Sequence, residues 1–235
     1  MAVSTKLIIY YIMKSLHETN KNIESEFYLM NFTCKDKESK LEKYLELLLS
    51  WVGKIRLTGA QTEEELRELI QDALYIIPFL PETSSSGKIK IIDVGTGGGL
   101  PGIVWAICRP DIEFTLLDSV RKKCVAVEEM CSNLELKNTS VVCERAEIYA
   151  KVTSNVHRFD VVTARAVAVA PQLIEWIAPF PKKGGLILAP KGPKYREEIA
   201  AITDKTLARL KLSSPEIIRY GPDTRENYLL IWRKL

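Results

Sequence analysis

Residues 91–102 read Ile91-Ile92-Asp93-Val94-Gly95-Thr96-Gly97-Gly98-Gly99-Leu100-Pro101-Gly102, and this stretch decides the fold. Two β-branched residues lead into an acid, four glycines follow within five positions, and a proline stands where a helix can begin. The order predicts a buried strand, a tight turn and a helix start. Glycine lets the backbone turn sharply and lets a ligand approach where a side chain would collide. The N–H groups at the helix start then face that ligand.

Two ligand classes compete for this turn. The spacing Gly97-x-Gly99-x-x-Gly102, with Asp118 near the distance expected for a ribose contact, satisfies the dinucleotide fingerprint. Asp93 would repel a pyrophosphate, whereas it would attract the sulfonium and ammonium of S-adenosylmethionine (SAM). The run is therefore similar to the first motif of the Rossmann-like methyltransferases, and SAM is the favoured cofactor. An NAD-dependent oxidoreductase is the rival, disfavoured by Asp93 and by the lack of a recognisable hydride-transfer dyad.

The composition bounds the class of protein. A chain of 235 residues, 46% hydrophobic, is one domain or one domain with a small appendage. The net charge of +3 permits a nucleic-acid partner without demanding one. The 5 cysteines lack CxxC spacing and accompany only 2 histidines, which predicts reduced thiols, a cytoplasmic location and no metal. The apolar run Leu7 to Met13 is too short to span a bilayer, so no membrane association is expected.

Two amphipathic helices are predicted before the glycine-rich stretch. The first carries its apolar face over residues 41–55, and the second runs from Thr62, which opens a capping box, to near Pro78. A serine-rich linker follows them. The predicted organisation is an N-terminal helical extension over residues 1–87 and a SAM-dependent methyltransferase domain over residues 88–235.

From Lys88 onward the pattern alternates strand and helix. Strands are predicted at 89–94, 113–117, 140–143, 159–163, 186–189, 216–219 and 227–232. Helices are predicted at 101–108, 120–133, 171–178 and 194–210. This alternation is typical of an α/β, Rossmann-like class I fold, a seven-stranded doubly wound sheet, closed here by a hairpin at one edge. Ligands bind such sheets at the carboxyl ends of the strands.

Polar residues stand where those strands end. Asp118, after the second strand, is placed to accept both ribose hydroxyls, or else caps the next helix. Asp93 is placed to hold the donor's ammonium, or only stabilises the turn. Ala146-Glu147 follows the third strand, where such folds put the adenine; the alternative is a solvated acid. Arg165 and Lys191 follow the fourth and fifth strands, and a positioning role in catalysis is predicted for both.

The sequence also indicates what the protein would act on. Arg121, Lys122 and Lys123 open the helix beside the donor pocket, and with Lys191 they are the predicted RNA contacts, unless they form only a solvated face. The fourth strand ends in Thr-Ala-Arg-Ala rather than the Asn/Asp-Pro-Pro-aromatic motif of exocyclic-amine methyltransferases, and no Pro-Cys dipeptide occurs. A ring nitrogen with a free lone pair, such as guanine N7, needs neither device, because alignment and proximity suffice.

Taken in order, five segments resemble one family. They are Asp93–Ile103, Leu116–Ser119, Arg145–Glu147, Arg165–Ala168 and Lys191-Gly192. They resemble the bacterial 16S ribosomal RNA guanine-N7 methyltransferases, the glucose-inhibited division protein B family. The Leu-Pro-Gly after the glycines and the Arg-Ala after the fourth strand are the most specific parts.

The resemblance covers about residues 41–235 and implies donor contacts at Gly95, Leu100, Ala146-Glu147 and Arg165, with the ribose on Asp118. It also implies methylation of a guanine in small-subunit rRNA. The chain departs from the family at Val52, Leu69 and Ala73, where asparagine, histidine and serine are usual. These departures lie in the helical region and bear on substrate recognition more than on donor binding.

The resulting hypothesis is a cytoplasmic, SAM-dependent rRNA guanine-N7 methyltransferase whose partner is 16S rRNA or the small ribosomal subunit. The loop glycines Gly95, Gly97 and Gly99 would hold the donor together with Asp93, Asp118 and Glu147. Two alternatives remain: a methyltransferase for another RNA or a small molecule, and a non-catalytic module that binds SAM or RNA.

Overall fold

The computed structural model describes residues 35–82, 87–222 and 224–235. The apolar run Leu7 to Met13 and the middle of the serine-rich linker lie outside the described residues. No helix of the described part is long and apolar enough to cross a membrane.

A seven-stranded sheet organises these residues, in the order β3-β2-β1-β4-β5-β7-β6. Its strands are β1 Lys90–Val94, β2 Glu113–Asp118, β3 Thr139–Cys143, β4 Phe159–Thr163, β5 Pro181–Lys191, β6 Glu216–Tyr220 and β7 Asn227–Arg233. Strands β1 to β5 are parallel, and β7 runs antiparallel to both β5 and β6. The predicted α/β class, the doubly wound sheet of seven strands and the closing hairpin are therefore confirmed.

Helices cover both faces of the sheet. In chain order they are α1 Lys35–Trp51, α2 Glu63–Ile76, α3 Gly102–Cys108, α4 Arg121–Asn133, α5 Ala146–Tyr149, α6 Ala170–Ile177, α7 Tyr195–Ala200 and α8 Asp204–Leu210. The capping box at the start of α2 is present, since the Thr62 hydroxyl accepts from the Glu65 N–H at 3.2 Å. One apolar core joins α1 to α4 to one face of the sheet, and a second joins α6 to α8 to the other.

The helical extension is bonded to the glycine-rich loop. The buried Tyr44 hydroxyl of α1 donates to the Gly98 carbonyl at 2.8 Å. The indole N–H of Trp105 in α3 donates to the Ala73 carbonyl of α2, also at 2.8 Å. Buried polar groups with good partners fix relative orientation, because each would be costly to leave unpaired. Helices α1 and α2 thereby form one wall beside the loop.

Two predicted boundaries were wrong. The helix expected over 194–210 is broken, because Thr203 adopts an extended backbone and its hydroxyl accepts from the Thr206 N–H, which starts α8. The strand expected at 186–189 begins earlier, at Pro181. Gly184 (φ +78°) and Gly185 form an irregularity inside β5 rather than a turn before it, where a Cβ on Gly185 would lie 3.0 Å from the Phe159 carbonyl.

Candidate active site

The glycine-rich loop joins β1 to α3 at the carboxyl edge of the sheet, and its glycines are required by their surroundings. Gly95, Gly97 and Gly99 all have positive φ, at +71°, +59° and +94°. A Cβ on Gly97 would lie 2.7 Å from the carbonyl oxygen of Leu57, and one on Gly95 would lie 2.4 Å from the side chain of Val167. The loop is therefore tightly packed and its backbone faces the space beside it without side chains.

Asp118 fixes this loop to the end of β2. One carboxylate oxygen accepts from the Gly97 N–H at 3.0 Å, and the other accepts from the Val120 N–H at 2.9 Å. The residue is 7% exposed. The bond from Val120 places the carboxylate at the start of α4, as the helix-cap alternative expects, while the ribose contact stays a prediction.

Asp93 lies beneath the loop and is fully buried. One carboxylate oxygen accepts from the Thr96 hydroxyl at 2.7 Å and from the Gly102 N–H at 3.0 Å. The other oxygen is buried without a hydrogen-bond partner among the described residues. Burial raises the pKa of Asp93 to about 6, with Asp118 adding to the rise while the two hydrogen bonds and Arg165 oppose it.

A cavity of about 630 Å³ lies between the glycine loop and the helical extension. Gly95, Gly97 and Leu100 line it on the loop side, while residues 56–60 and Leu69 line the side of the extension. Lys123 and Arg165 also border it. The cavity is large enough for a small-molecule cofactor, and its floor is bare backbone.

Arg165 closes this cavity through an ion pair that sequence reasoning missed. Its guanidinium donates to the Leu69 carbonyl and to Asp72, both at 3.3 Å. The second oxygen of Asp72 accepts from Arg225 at 3.3 Å and from Asn227 at 3.1 Å. Burial raises the pKa of Asp72 although both arginines act to lower it. The available signal was Asp72, the one acid within residues 69–77 of the second predicted helix, which are otherwise mostly apolar.

A second cavity, of about 390 Å³, lies on the other side of Arg165 and is walled by residues 165–169 and Tyr220. Lys191 is 9% exposed at its side chain and donates to the Ala168 carbonyl at 2.9 Å and to Glu198 at 2.7 Å. Glu198 also accepts from the Ala170 N–H at 2.6 Å, which caps α6. Lys191 therefore braces the cavity wall, which favours its predicted positioning role over contact with an RNA phosphate.

Several predicted residues are not among those that line the two cavities, among them Asp93, Asp118, Arg121, Lys122, Ala146 and Glu147. Ala146 and Glu147 form the first turn of α5, directly after β3, and both are partly exposed. The pKa of Glu147 is lowered first by the hydrogen bond from its own N–H and then by Arg145, whose guanidinium lies 3.3 Å away. Arg121 and Lys122 are exposed at the start of α4, whereas the neighbouring Lys123 reaches the larger cavity.

Comparison with known proteins adds a family to this geometry. The sequence model of the family described as GidB, rRNA small subunit methyltransferase G, matches residues 37–217. The Petrotoga mobilis protein named ribosomal RNA small subunit methyltransferase G is 36% identical over 205 residues, covering 85% of this chain and 88% of the relative. A Clostridium novyi protein of the same name is 35% identical over 217 residues, covering 91% and 87%.

This chain belongs to the rRNA small subunit methyltransferase G family. The family match runs from residue 37 to residue 217, so it includes α2, nearly all of α1 and strands β1 to β5, whereas β7 lies beyond it. The glycine loop, Arg165 and Lys191 also lie inside the match, whereas Arg225 follows it. The family predicted from the five sequence segments is confirmed.

Solved structures place this rRNA small subunit methyltransferase G family member in a wider fold class. A cofactor-bound protein from MTB matches with a TM-score of 0.55 at 16% identity, covering 92% of this chain and 98% of that one. Aeropyrum pernix fibrillarin, solved with natively bound SAM, matches with a TM-score of 0.50 at 16% identity, covering 69% and 74%. At these identities the likeness establishes the fold alone, the Rossmann-like class I methyltransferase fold that the sequence predicts.

Proposed function

We propose that this protein is a cytoplasmic methyltransferase that uses SAM to methylate N7 of a guanine in 16S rRNA. The observation that carries the proposal is the cavity beside the bare glycine loop. Asp118 holds this loop through the Gly97 N–H, and Arg165 borders the cavity. Membership of a family named for small-subunit rRNA methylation supports the choice of substrate.

The residues beside the loop fit SAM better than a dinucleotide. In this proposal Asp118 accepts the ribose hydroxyls, and Ala146-Glu147, directly after the adjacent strand β3, contacts the adenine. The unpartnered oxygen of Asp93 is a buried acceptor that an ammonium group, directly or through water, would satisfy. A pyrophosphate would instead meet the charge of Asp93. SAM supplies an electrophilic methyl group on a sulfonium.

The smaller cavity is the proposed place of the acceptor base. It lies at the ends of β4 and β5, on the far side of Arg165 from the glycine loop. With SAM bound, transfer of its methyl group to the N7 lone pair would release the neutral thioether and leave the purine cationic. No general base is required. The residues of this chain therefore position the two reactants and tolerate the positive charge on the purine, and none has to accept a proton. Lys191 and Glu198 hold the 165–170 segment in place, and Asp72 supplies nearby negative charge.

The start of α4 is the proposed RNA contact. Arg121, Lys122 and Lys123 occupy its first turn, which contains no acidic residue. The positive end of a helix disfavours cations by about 0.3–1 kcal/mol each. Three basic side chains in this turn therefore lower the stability of the helix. Binding of an RNA phosphate backbone at this edge of the sheet would explain why they are present.

The deciding experiment measures transfer of a labelled methyl group from SAM to small ribosomal subunits and to naked 16S rRNA that lack the modification. We expect label in guanine, recovered as N7-methylguanine, and no transfer by Asp118→Ala. Before the transfer assay, calorimetry measures the binding of SAM and of NAD to the protein. Binding of NAD alone would overturn the donor assignment. Binding of SAM with label in another RNA or in a small molecule would replace the substrate, and binding without transfer would indicate a non-catalytic module.

A further inference from the structure

Two thiols meet beside Asp118, between the first turn of α4 and the end of β3. The buried Cys124 thiol donates to the Asp118 carbonyl at 3.3 Å and lies 4.0 Å from the Val142 carbonyl. The next residue after Val142 is Cys143, and its thiol is close enough to Cys124 to contribute to the raised pKa of the Cys124 thiol. Cys143 pairs with Asp118 across the parallel ladder of β2 and β3. The thiol pair therefore touches the backbone of the residue assigned to the ribose.

The alternation of β3 explains why these two cysteines face each other. Val141 packs on the core that contains α4, whereas Val142 packs on the opposite core. Side chains alternate along a strand, so Cys143 faces α4 as Val141 does. Cys131, two turns along α4, interacts instead with Thr139 at the start of β3. Helix α4 and strand β3 thus run side by side. The two sulfurs come together where the first turn of α4 lies beside the last residue of β3.

The two thiols differ in accessibility. Cys143 is partly exposed, whereas Cys124 is fully buried. Burial raises the pKa of Cys124 to about 12, and contact with Cys143 adds to the rise. Because of its partial exposure, Cys143 is the thiol that an oxidant in solution reaches first. In the described part of the chain no group of three or more His, Cys, Asp or Glu residues is arranged to hold a metal ion. Two neighbouring thiols can be oxidised to a disulfide.

We propose that Cys124 and Cys143 form a redox modification site, which closes to a disulfide and weakens binding of the methyl donor at Asp118. The coupling to the donor rests on the function proposed above. The closure itself does not.

The oxidant is a peroxide. The Cys143 thiolate attacks one oxygen of hydrogen peroxide, the O–O bond breaks, and a sulfenic acid and water result after proton transfer. The Cys124 sulfur then attacks the sulfenic sulfur, the S–O bond breaks, and a second water leaves with the thiol proton. The sum is two thiols and one peroxide giving one disulfide and two waters. A dithiol reductant such as dithiothreitol reverses it by thiol–disulfide exchange.

Closure changes the surroundings of Asp118. Disulfide formation brings the two sulfurs to about 2.05 Å, which draws the first turn of α4 toward β3. The Cys124 hydrogen bond to the Asp118 carbonyl is lost with its proton. The same turn follows Val120, whose N–H holds one oxygen of the Asp118 carboxylate. Loss of one such hydrogen bond is worth roughly a fivefold change in affinity, which sets the expected size of the effect.

The test treats the reduced full chain with hydrogen peroxide, maps disulfides by mass spectrometry, and titrates SAM by calorimetry before and after. We expect a loss of two hydrogens in mass, a Cys124–Cys143 linkage, roughly fivefold weaker SAM binding, and recovery with dithiothreitol. Cys143→Ser should form no linkage and keep its SAM affinity after peroxide. Cys131→Ser, altered on the same helix, should behave as the wild type.

The remaining outcomes would contradict one part of the proposal or the other. A linkage through Cys34 or Cys108, or oxidation of Cys143 to sulfinic acid without a linkage, would overturn the proposal. A Cys124–Cys143 linkage with unchanged SAM affinity would overturn the coupling. Reduced protein that binds no SAM would contradict the proposed function, while the mass measurement would still decide whether the disulfide forms.

Discussion

Asp72 and Arg165 form an ion pair of 3.3 Å across 93 positions of sequence, and it joins the helical extension to the edge of the sheet. Asp72 belongs to α2, while Arg165 follows β4. The same carboxylate also receives Arg225 and Asn227 from the region around β7. Because Arg165 borders both cavities, this carboxylate holds in place the side chain that separates them.

Removal of Asp72 tests that role. We expect Asp72→Ala to lower the free energy of unfolding by about 2 kcal/mol, because Arg165 and Arg225 lose their buried partner. SAM affinity should fall as Arg165 becomes free to move. Asp36→Ala is the matched control, since its carboxylate is 70% exposed and pairs with Lys40 at 3.6 Å. It should change stability by under about 0.5 kcal/mol. Equal losses in both variants, measured by urea unfolding, would contradict this account.

The buried carboxyl of Asp93 predicts a pH dependence of stability. Its pKa of about 6 exceeds that of an unfolded aspartate, so the folded state binds more protons than the unfolded state between the two values. The free energy of unfolding contributed by Asp93 therefore falls as pH rises from 4 to 6, by an amount of the order of 2–3 kcal/mol. Asp93→Asn removes this contribution, and the difference between its stability profile and that of the wild type isolates it. A constant difference would exclude the raised pKa.

The same group predicts how donor binding depends on pH. Ionised Asp93 attracts the cationic donor, so SAM affinity should rise between pH 5 and pH 7. Asp93→Asn should bind SAM more weakly at pH 7, with a nearly flat profile. Calorimetry at several pH values measures both curves. A wild-type curve that is as flat as that of the variant would show that Asp93 does not hold the ammonium.

Gly97 tests whether the bare backbone of the loop is needed. In Gly97→Ala the new Cβ would lie 2.7 Å from the Leu57 carbonyl at a φ of +59°. Both the overlap and the left-handed backbone are unfavourable, so we expect a loss of about 2 kcal/mol or more and SAM binding at least about tenfold weaker. Gly59→Ala borders the same cavity but meets nothing within 4 Å, and it should change neither quantity appreciably. Thermal unfolding and calorimetry compare the two.

The basic turn of α4 tests the RNA contact. Arg121→Ala combined with Lys122→Ala should weaken RNA binding and reduce the slope of log affinity against log salt by about 1.5–2, since two phosphate contacts are lost. SAM binding should stay unchanged. The control pair is Lys137→Ala with Lys183→Ala. It removes two exposed cations near the amino ends of β3 and β5, whereas α4 begins at the carboxyl ends of the strands. A similar reduction of the salt slope in both pairs would assign binding to net charge instead.

Much of the fold could be predicted because local patterns specify it. The glycine-rich stretch predicted a strand, a turn and a helix start, and all three are present. The errors arose where local signals compete. Thr203 interrupts a helical pattern by capping a new helix, and the Gly184-Gly185 pair, typical of a turn, lies inside β5 as an irregularity. The roles assigned to the donor and RNA contacts remain predictions.

The sequence by itself determined the class of fold and the family, because glycine spacing and the alternation of strands with helices are properties of contiguous residues. Only the tertiary structure decided how Asp72, Arg165 and Arg225 meet, that Lys191 is buried against Glu198, and that Cys124 faces Cys143. These residues come from distant segments, and their charges and thiols acquire partners only when the packing of both cores brings those segments together.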